Sequence, residues 1–394
     1  MSKYDFDTVI SRKGSGDLMH GALKPRWGRD DLFPMWVADM DFAVCPDILN
    51  ALRKRLEHPI LGYTVMPEDY YPTIHNWLLT HQHWDIQPEW LGFVPGVVKG
   101  IAMAVTLFVK PDEKVMVVPP VYHPFFLTAK ALGREVAYCP LEERERGVYT
   151  LEEADLEKAY DEKCRLLVFA NPHNPVGISW SEDTLRMVAE FCQKHDMIVI
   201  SDEIHCDLTL PGHEFHPLAA CSEAGRQCSI TFQAPTKTFN IAGLTTSFAL
   251  VPNPEIRRKF FGFFKATELN EPDIFGPIAT IAAYEHGDEW RKEMLSYVEG
   301  NMRFAQTFIN EHMPRVRMVF PQASFLIWLD CRDLHLSHSE LLDFFIDKAH
   351  LALNDGEMFG PGGQGHMRMN VGMPRSLVRK GLEQLAEAYQ QQGF

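Results

Sequence analysis

Lys237 stands in Gln233-Ala-Pro-Thr-Lys-Thr-Phe-Asn-Ile-Ala-Gly243, among small and apolar residues just after an apolar run. That is an odd place for a solubilising charge. A free lysine, with an ordinary pKa of about 10.4, is mostly protonated at neutral pH. Desolvation favours the neutral amine, which suits Schiff-base chemistry. Asp202 follows a second apolar run, at 197–200. It reads as a helix cap, an ion-pair partner, or a carboxylate aimed at a cationic ring nitrogen. Each unit by which such an acid raises a ring nitrogen's pKa corresponds to about 1.4 kcal/mol. Asn174, in Asn171-Pro-His-Asn-Pro-Val-Gly177, is either a plain Asn-Pro turn or a side-chain donor to a ring oxygen. Tyr122, in Pro119-Pro-Val-Tyr-His-Pro124, either packs or stacks on a planar ring.

These residues need elements to hold them. Apolar runs at 114–118, 165–170, 197–200 and 229–232 end at Pro119-Pro120, Asn171-Pro172, Ser201-Asp202 and near Pro235. Helical patterns separate several of them, such as 181–195 with Ser181 as N-cap. The alternation predicts an α/β fold: a large domain whose mostly parallel sheet is sandwiched by helices. A strand at 323–329, another at 366–371 and a helix from about 376 predict a smaller α+β domain. The expected division is 1–45 as an N-terminal arm belonging to the small domain, 46–287 as the large domain, and 288–394 as the C-terminal small domain. In open α/β sheets ligands lie beyond the carboxyl ends of the strands. The clusters at 171–177, 202–205 and 236–243 follow strand ends, and Pro95-Gly96-Val97-Val98-Lys99 opens a helix.

The 394 residues carry 38 basic and 53 acidic side chains, a net charge of −15. This disfavours nucleic acid, whose phosphates need basic stripes. The longest apolar run, 100–109, is too short to span a bilayer. The first residues show no apolar leader, and the eight cysteines lack CxxC spacing, so a cytoplasmic protein is expected.

The ordered set Asn-Pro-x-Asn-Pro-x-Gly, Ser-Asp-Glu-Ile-His and Thr-Lys-Thr-Phe-Asn-Ile-Ala-Gly resembles the aspartate-aminotransferase fold of pyridoxal-5′-phosphate (PLP) enzymes, over nearly the whole chain. The string Met35-Trp-Val-Ala-Asp-Met-Asp-Phe42, and His205 where transaminases commonly carry Tyr, resemble the cystathionine β-lyase (C–S lyase) branch. The resemblance implies that Lys237 carries PLP as a Schiff base and acts as general base. It implies that Asp202 pairs with the ring nitrogen, that Asn174 and His205 bond the ring's 3-oxygen, and that Tyr122 stacks on the ring and assists catalysis. Val98, Lys99 and Thr236 would hold the phosphate, a role suited to the free donors of a helix start. Tyr63 would reach the phosphate of a partner subunit in a homodimer, and Arg368 would grip the substrate α-carboxylate. The leaving group is expected near residues 36–41, with Ala38 and Asp39 as substrate contacts. Two departures, Ala234 for Ser and Thr245 for Arg, put more of the phosphate's weight on backbone donors and Thr236.

The implied activity is α,β-elimination on L-cystathionine or related cysteine S-conjugates, giving pyruvate, ammonia and a thiol. An aminotransferase of the same fold and a non-catalytic regulatory protein on this fold are the alternatives. Gly360-Pro-Gly-Gly-Gln-Gly365 fits GxGxxG but follows no predicted strand, which argues against a dinucleotide site. No histidine group fits HExxH, and no metal is expected. Neither GxSxG nor GxxxxGK[ST] occurs.

Overall fold

The computed structural model describes residues 3–394. Its large sheet has seven strands: β1 (Leu91–Val94), β2 (Lys114–Val117), β3 (Glu135–Tyr138), β4 (Cys164–Ala170), β5 (Ile198–Asp202), β6 (Ser229–Gln233) and β7 (Ser247–Leu250). They are ordered β1-β7-β6-β5-β4-β2-β3. Only β7 runs antiparallel to its two neighbours. Successive side chains on a strand face opposite ways. Leu166, Val168 and Ala170 therefore enter one core, with Ile101 and Phe260 from covering helices. Leu167 and Phe169 enter the other, with Leu185 and Val188 of helix Glu182–Lys194. Burial on both faces explains why these strands read as unbroken apolar runs rather than alternating ones.

The four expected strands of this sheet appear, displaced by one or two residues at their ends. Three others went unread. β1 is interrupted by Gly92, β7 follows Thr245-Thr246 and opens on Ser247, and β3 is a half-exposed edge, so none makes an apolar run distinct from its surroundings. Ser181 caps its helix by accepting from the Thr184 N–H. Helix Val97–Phe108 packs so closely on β6 that a Cβ on Gly100 would stand 2.5 Å from the Phe232 ring.

A second, antiparallel sheet holds β8 (Arg317–Val319), β9 (Leu326–Asp330), β10 (Asn354–Asp355) and β11 (His366–Asn370), ordered β8-β9-β11-β10. β9 starts three residues later than expected. Ala323 bridges Thr209 instead, and Ser324 turns the chain with φ 81°. The 25-residue helix Asp288–His312 and the helix Arg375–Gln392 pack beside this sheet, in a core that also takes in Phe6, Met35 and Phe42. Near the N-terminus, Phe33–Pro34 pairs in parallel with Leu351–Ala352. Asn370 then donates its N–H to the Met35 carbonyl, and Asp41 donates to that of Gly372. Residues 33–42 thus form a strap joined to the second sheet.

Candidate active site

A cavity of about 700 Å³ opens where β5, β6 and helix Val97–Phe108 meet the second sheet and the strap. Its lining includes Lys237, Asp202, Asn174, His205, Tyr122, Val98, Lys99, Thr236, Arg368, Ala38 and Asp39. Every site residue expected from the sequence is therefore brought together, except Tyr63. That side chain is fully exposed, away from this chain's own cavity.

Lys237 lies on the single helical turn Pro235–Thr238 that follows β6. Its Nζ donates to the Ala38 carbonyl of the strap at 2.7 Å. Burial pushes its pKa down to about 8, with Asp39 opposing that shift. Asp202 ends β5, and burial raises its carboxyl to about 7. Its one hydrogen bond among the described residues comes from the Ile204 N–H, at 3.2 Å. His205 is held neutral, down to about 3, by burial and then by the fields of Lys237 and Arg368. Its Nδ1 is buried and finds no partner.

Arg368 sits on β11 directly opposite Asn354. Its Nη1 donates to Asn174 Oδ1 at 3.0 Å, and its Nη2 to the Trp36 carbonyl at 3.0 Å and to Asn354 Oδ1 at 2.6 Å. The guanidinium lies 4.9 Å from the Phe359 ring centre. Nε is buried without an acceptor. Because Asn174 spends its oxygen on Arg368, its amide N–H groups remain as donors. Tyr122 presents its ring to the cavity, with Phe125 edge-on at 5.8 Å behind it.

The helix start around Val98 and Lys99 follows Gly96, whose φ of 110° suits glycine alone. No side chain caps it, so its first N–H groups remain donors. Thr236 is buried beside it, Ala234 offers no hydroxyl, and Thr245 faces the cavity.

Several residues went unread in the sequence. Asn370 Nδ2 donates to the Val37 and Asp39 carbonyls, each at 2.6 Å. Asn240 bonds Met40 N, Met40 O and Phe42 O. Arg12 reaches Asp39 and Asp41. All three fix the strap through isolated residues far apart in the chain, and only Asn240 falls inside a motif that drew attention. Glu203 turns away from the cavity and accepts from Ser201, Leu218 N and Gln233, anchoring the end of β5 from behind.

These groups fit PLP. A buried carboxylate lacking a cationic partner matches a pyridinium nitrogen. The unpartnered His205 Nδ1 and the free Asn174 amide match a ring oxygen. Lys237 supplies an amine whose pKa burial lowers to about 8, so a sizeable neutral fraction is present near that pH.

The fold and this site define a class, and comparison with known proteins agrees with it. The family model for aminotransferase class I and II matches residues 32–385, so the chain belongs to that family. It is 39% identical to the cystathionine beta-lyase PatB of Bacillus subtilis (strain 168), over 98% of this chain and 99% of the relative. A PLP-bound protein of Clostridium difficile 630 assigned as an aminotransferase superposes with a TM-score of 0.96 at 37% identity, covering 98% and 100% of the two chains. Cystalysin of Treponema denticola, which contains a pyridoxal 5′-phosphate cofactor, superposes with a TM-score of 0.93 at 34% identity, covering 99% of each.

Proposed function

We propose that this protein is a PLP-dependent carbon–sulfur β-lyase. It cleaves L-cystathionine or related cysteine S-conjugates to pyruvate, ammonia and a thiol. The observation that carries the reading is the convergence of Lys237, Asp202 and Arg368 on one cavity at the carboxyl ends of β5 and β6.

When bound, PLP supplies an electron sink for the pair left on the substrate Cα. Asp202 would hold a proton on the ring nitrogen. Asn174 and His205 would bond the ring oxygen, and Tyr122 would cover the ring face. Thr236 and the N–H groups at Val98 and Lys99 would hold the phosphate. Arg368 fixes the substrate α-carboxylate, using the geometry that Asn174, Asn354 and Trp36 impose on it. Lys237 Nζ, as the neutral amine, would take the proton from the substrate Cα. A thiolate leaves Cβ readily, so no strong acid is required of the protein.

The working unit is a homodimer. Ile60, Leu61, Tyr63 and Val65 form an exposed apolar stretch, which a second copy would bury while receiving the Tyr63 hydroxyl at its phosphate. No helix among the described residues is long and apolar enough to cross a membrane. All eight cysteines are free, which suits a reducing cytosol.

The test supplies L-cystathionine to the purified protein and follows pyruvate and free thiol. Stoichiometric release of both is expected. The C. difficile likeness favours a second reading, transamination. Rapid amino transfer to a 2-oxo acid, with neither product released, would replace the first reading with it.

A further inference from the structure

Beyond the residues already given a role, the cavity holds a cation with no anionic partner. Arg26 lies in the short helix Leu23–Trp27 and lines the same cavity as Lys237 and Arg368. Its guanidinium carbon sits 4.3 Å from the centre of the Trp36 ring. Among the described residues it makes no ion pair, whereas Arg12 on the strap is met by both Asp39 and Asp41.

Trp36 is a fixed platform. Its indole N–H donates to the Met19 carbonyl at 3.0 Å, Trp27 packs edge-on at 5.4 Å, and the residue is buried. Its own carbonyl accepts from Arg368. One residue therefore carries two guanidinium groups, one on its backbone and one on its ring. His123, also in the lining, is held neutral by burial and then by the fields of Arg368 and Arg26, so it adds no competing charge. A guanidinium held over an aromatic face is attracted to it and still has N–H donors to offer a carboxylate.

We propose that Arg26 is a specificity residue for the leaving group, selecting cysteine S-conjugates whose sulfur substituent is a short chain ending in a carboxylate. Arg368 takes the α-carboxylate, and Arg26 takes the distal one. The inference rests on the lyase reading for the thioether, and on the cavity alone for the distal anion. Arg26 is exposed, so the preference is modest, about tenfold.

The test uses the holoenzyme and two thioethers, S-(3-carboxypropyl)-L-cysteine and S-butyl-L-cysteine, which lacks the anion. Pyruvate release gives kcat/KM for each. Their carbon analogues, L-2-aminosuberate and L-2-aminooctanoate, cannot eliminate a thiol, and their binding is read from the cofactor's absorbance. Wild type should favour the acid about tenfold in both ratios. Arg26→Gln should erase the preference, Arg26→Lys should keep most of it, and Arg26→Glu should invert it. Turnover of S-butyl-L-cysteine should stay within about twofold throughout. A wild type without preference, variants that keep the wild-type ratio, or variants that lose both substrates equally would overturn the assignment. If wild type releases pyruvate from neither thioether, the lyase reading fails, and the binding ratio of the carbon analogues still decides Arg26.

Discussion

Burial sets the charge of the groups that do the chemistry, and that has measurable consequences at single residues. The folded chain holds the Asp202 proton more tightly than an unfolded chain does, so its pKa rises from 3.8 to about 7. In protein stripped of cofactor, this contribution to stability is full below about pH 4 and is lost as pH rises to about 7. Lys237 has the opposite relation, with a folded pKa of about 8 against 10.5. Its contribution grows as pH rises through that window. Asp202→Asn should flatten the first slope and raise the unfolding midpoint of the stripped protein at pH 8, while lowering kcat/KM at least a hundredfold, read by thermal melts and pyruvate release. Lys237→Arg keeps a charge but offers no neutral amine, and turnover should fall by about 10³-fold or more. Lys237, Asp202, Asn174 and Tyr122 were legible because each lies within a few residues of a strand end, in a short motif with a recognisable residue order. Asn354 was not, because its role comes from lying opposite Arg368 across two strands, and no local pattern marks that register.

At the scale of elements, the strap is the part that sequence reading left vague. Residues up to 45 read only as an arm without periodicity, since the strap's buried side chains, Met35, Trp36, Met40 and Phe42, follow no single period and its backbone carbonyls carry much of its anchoring. Asn370 and Asn240 supply most of those bonds, from β11 and from the turn after Lys237. Asn370→Ala would leave the partly buried carbonyls of residues 37 and 39 without this donor. A loss of roughly 1–3 kcal/mol in denaturant unfolding is expected, with kcat/KM falling further than that because Arg368 and Lys237 both lean on the strap. Asn370→Asp keeps the size but cannot donate, so it should not rescue. The central strands were legible because both their faces are buried, whereas β1, β3 and β7 were too interrupted or too exposed to stand out.

At the scale of the whole molecule, the apolar stretch around Tyr63 predicts its own disruption. On the proposed dimer, Leu61→Asp should shift the protein to monomer in sedimentation and should weaken PLP retention, because the proposed contribution of Tyr63 to the other subunit would be withdrawn. Tyr63→Phe should leave the dimer intact and weaken only PLP retention. The hairpin at 142–150 and the second sheet are also tied by charge. Arg146, on the turn between the paired strands Glu142–Glu145 and Val148–Thr150, reaches Asp330 and Asp333 beside β9, and Arg332 returns to Glu143. The hydrogen bond from Lys237 to the Ala38 carbonyl joins the strap to the turn after β6. A carbonyl that harbours a lysine ammonium is equally fit to harbour the ammonium of an incoming amino acid. With PLP held by Lys237, the Ala38 carbonyl would be left free to accept from the amino group of a substrate, so the same strap would serve cofactor and substrate in turn.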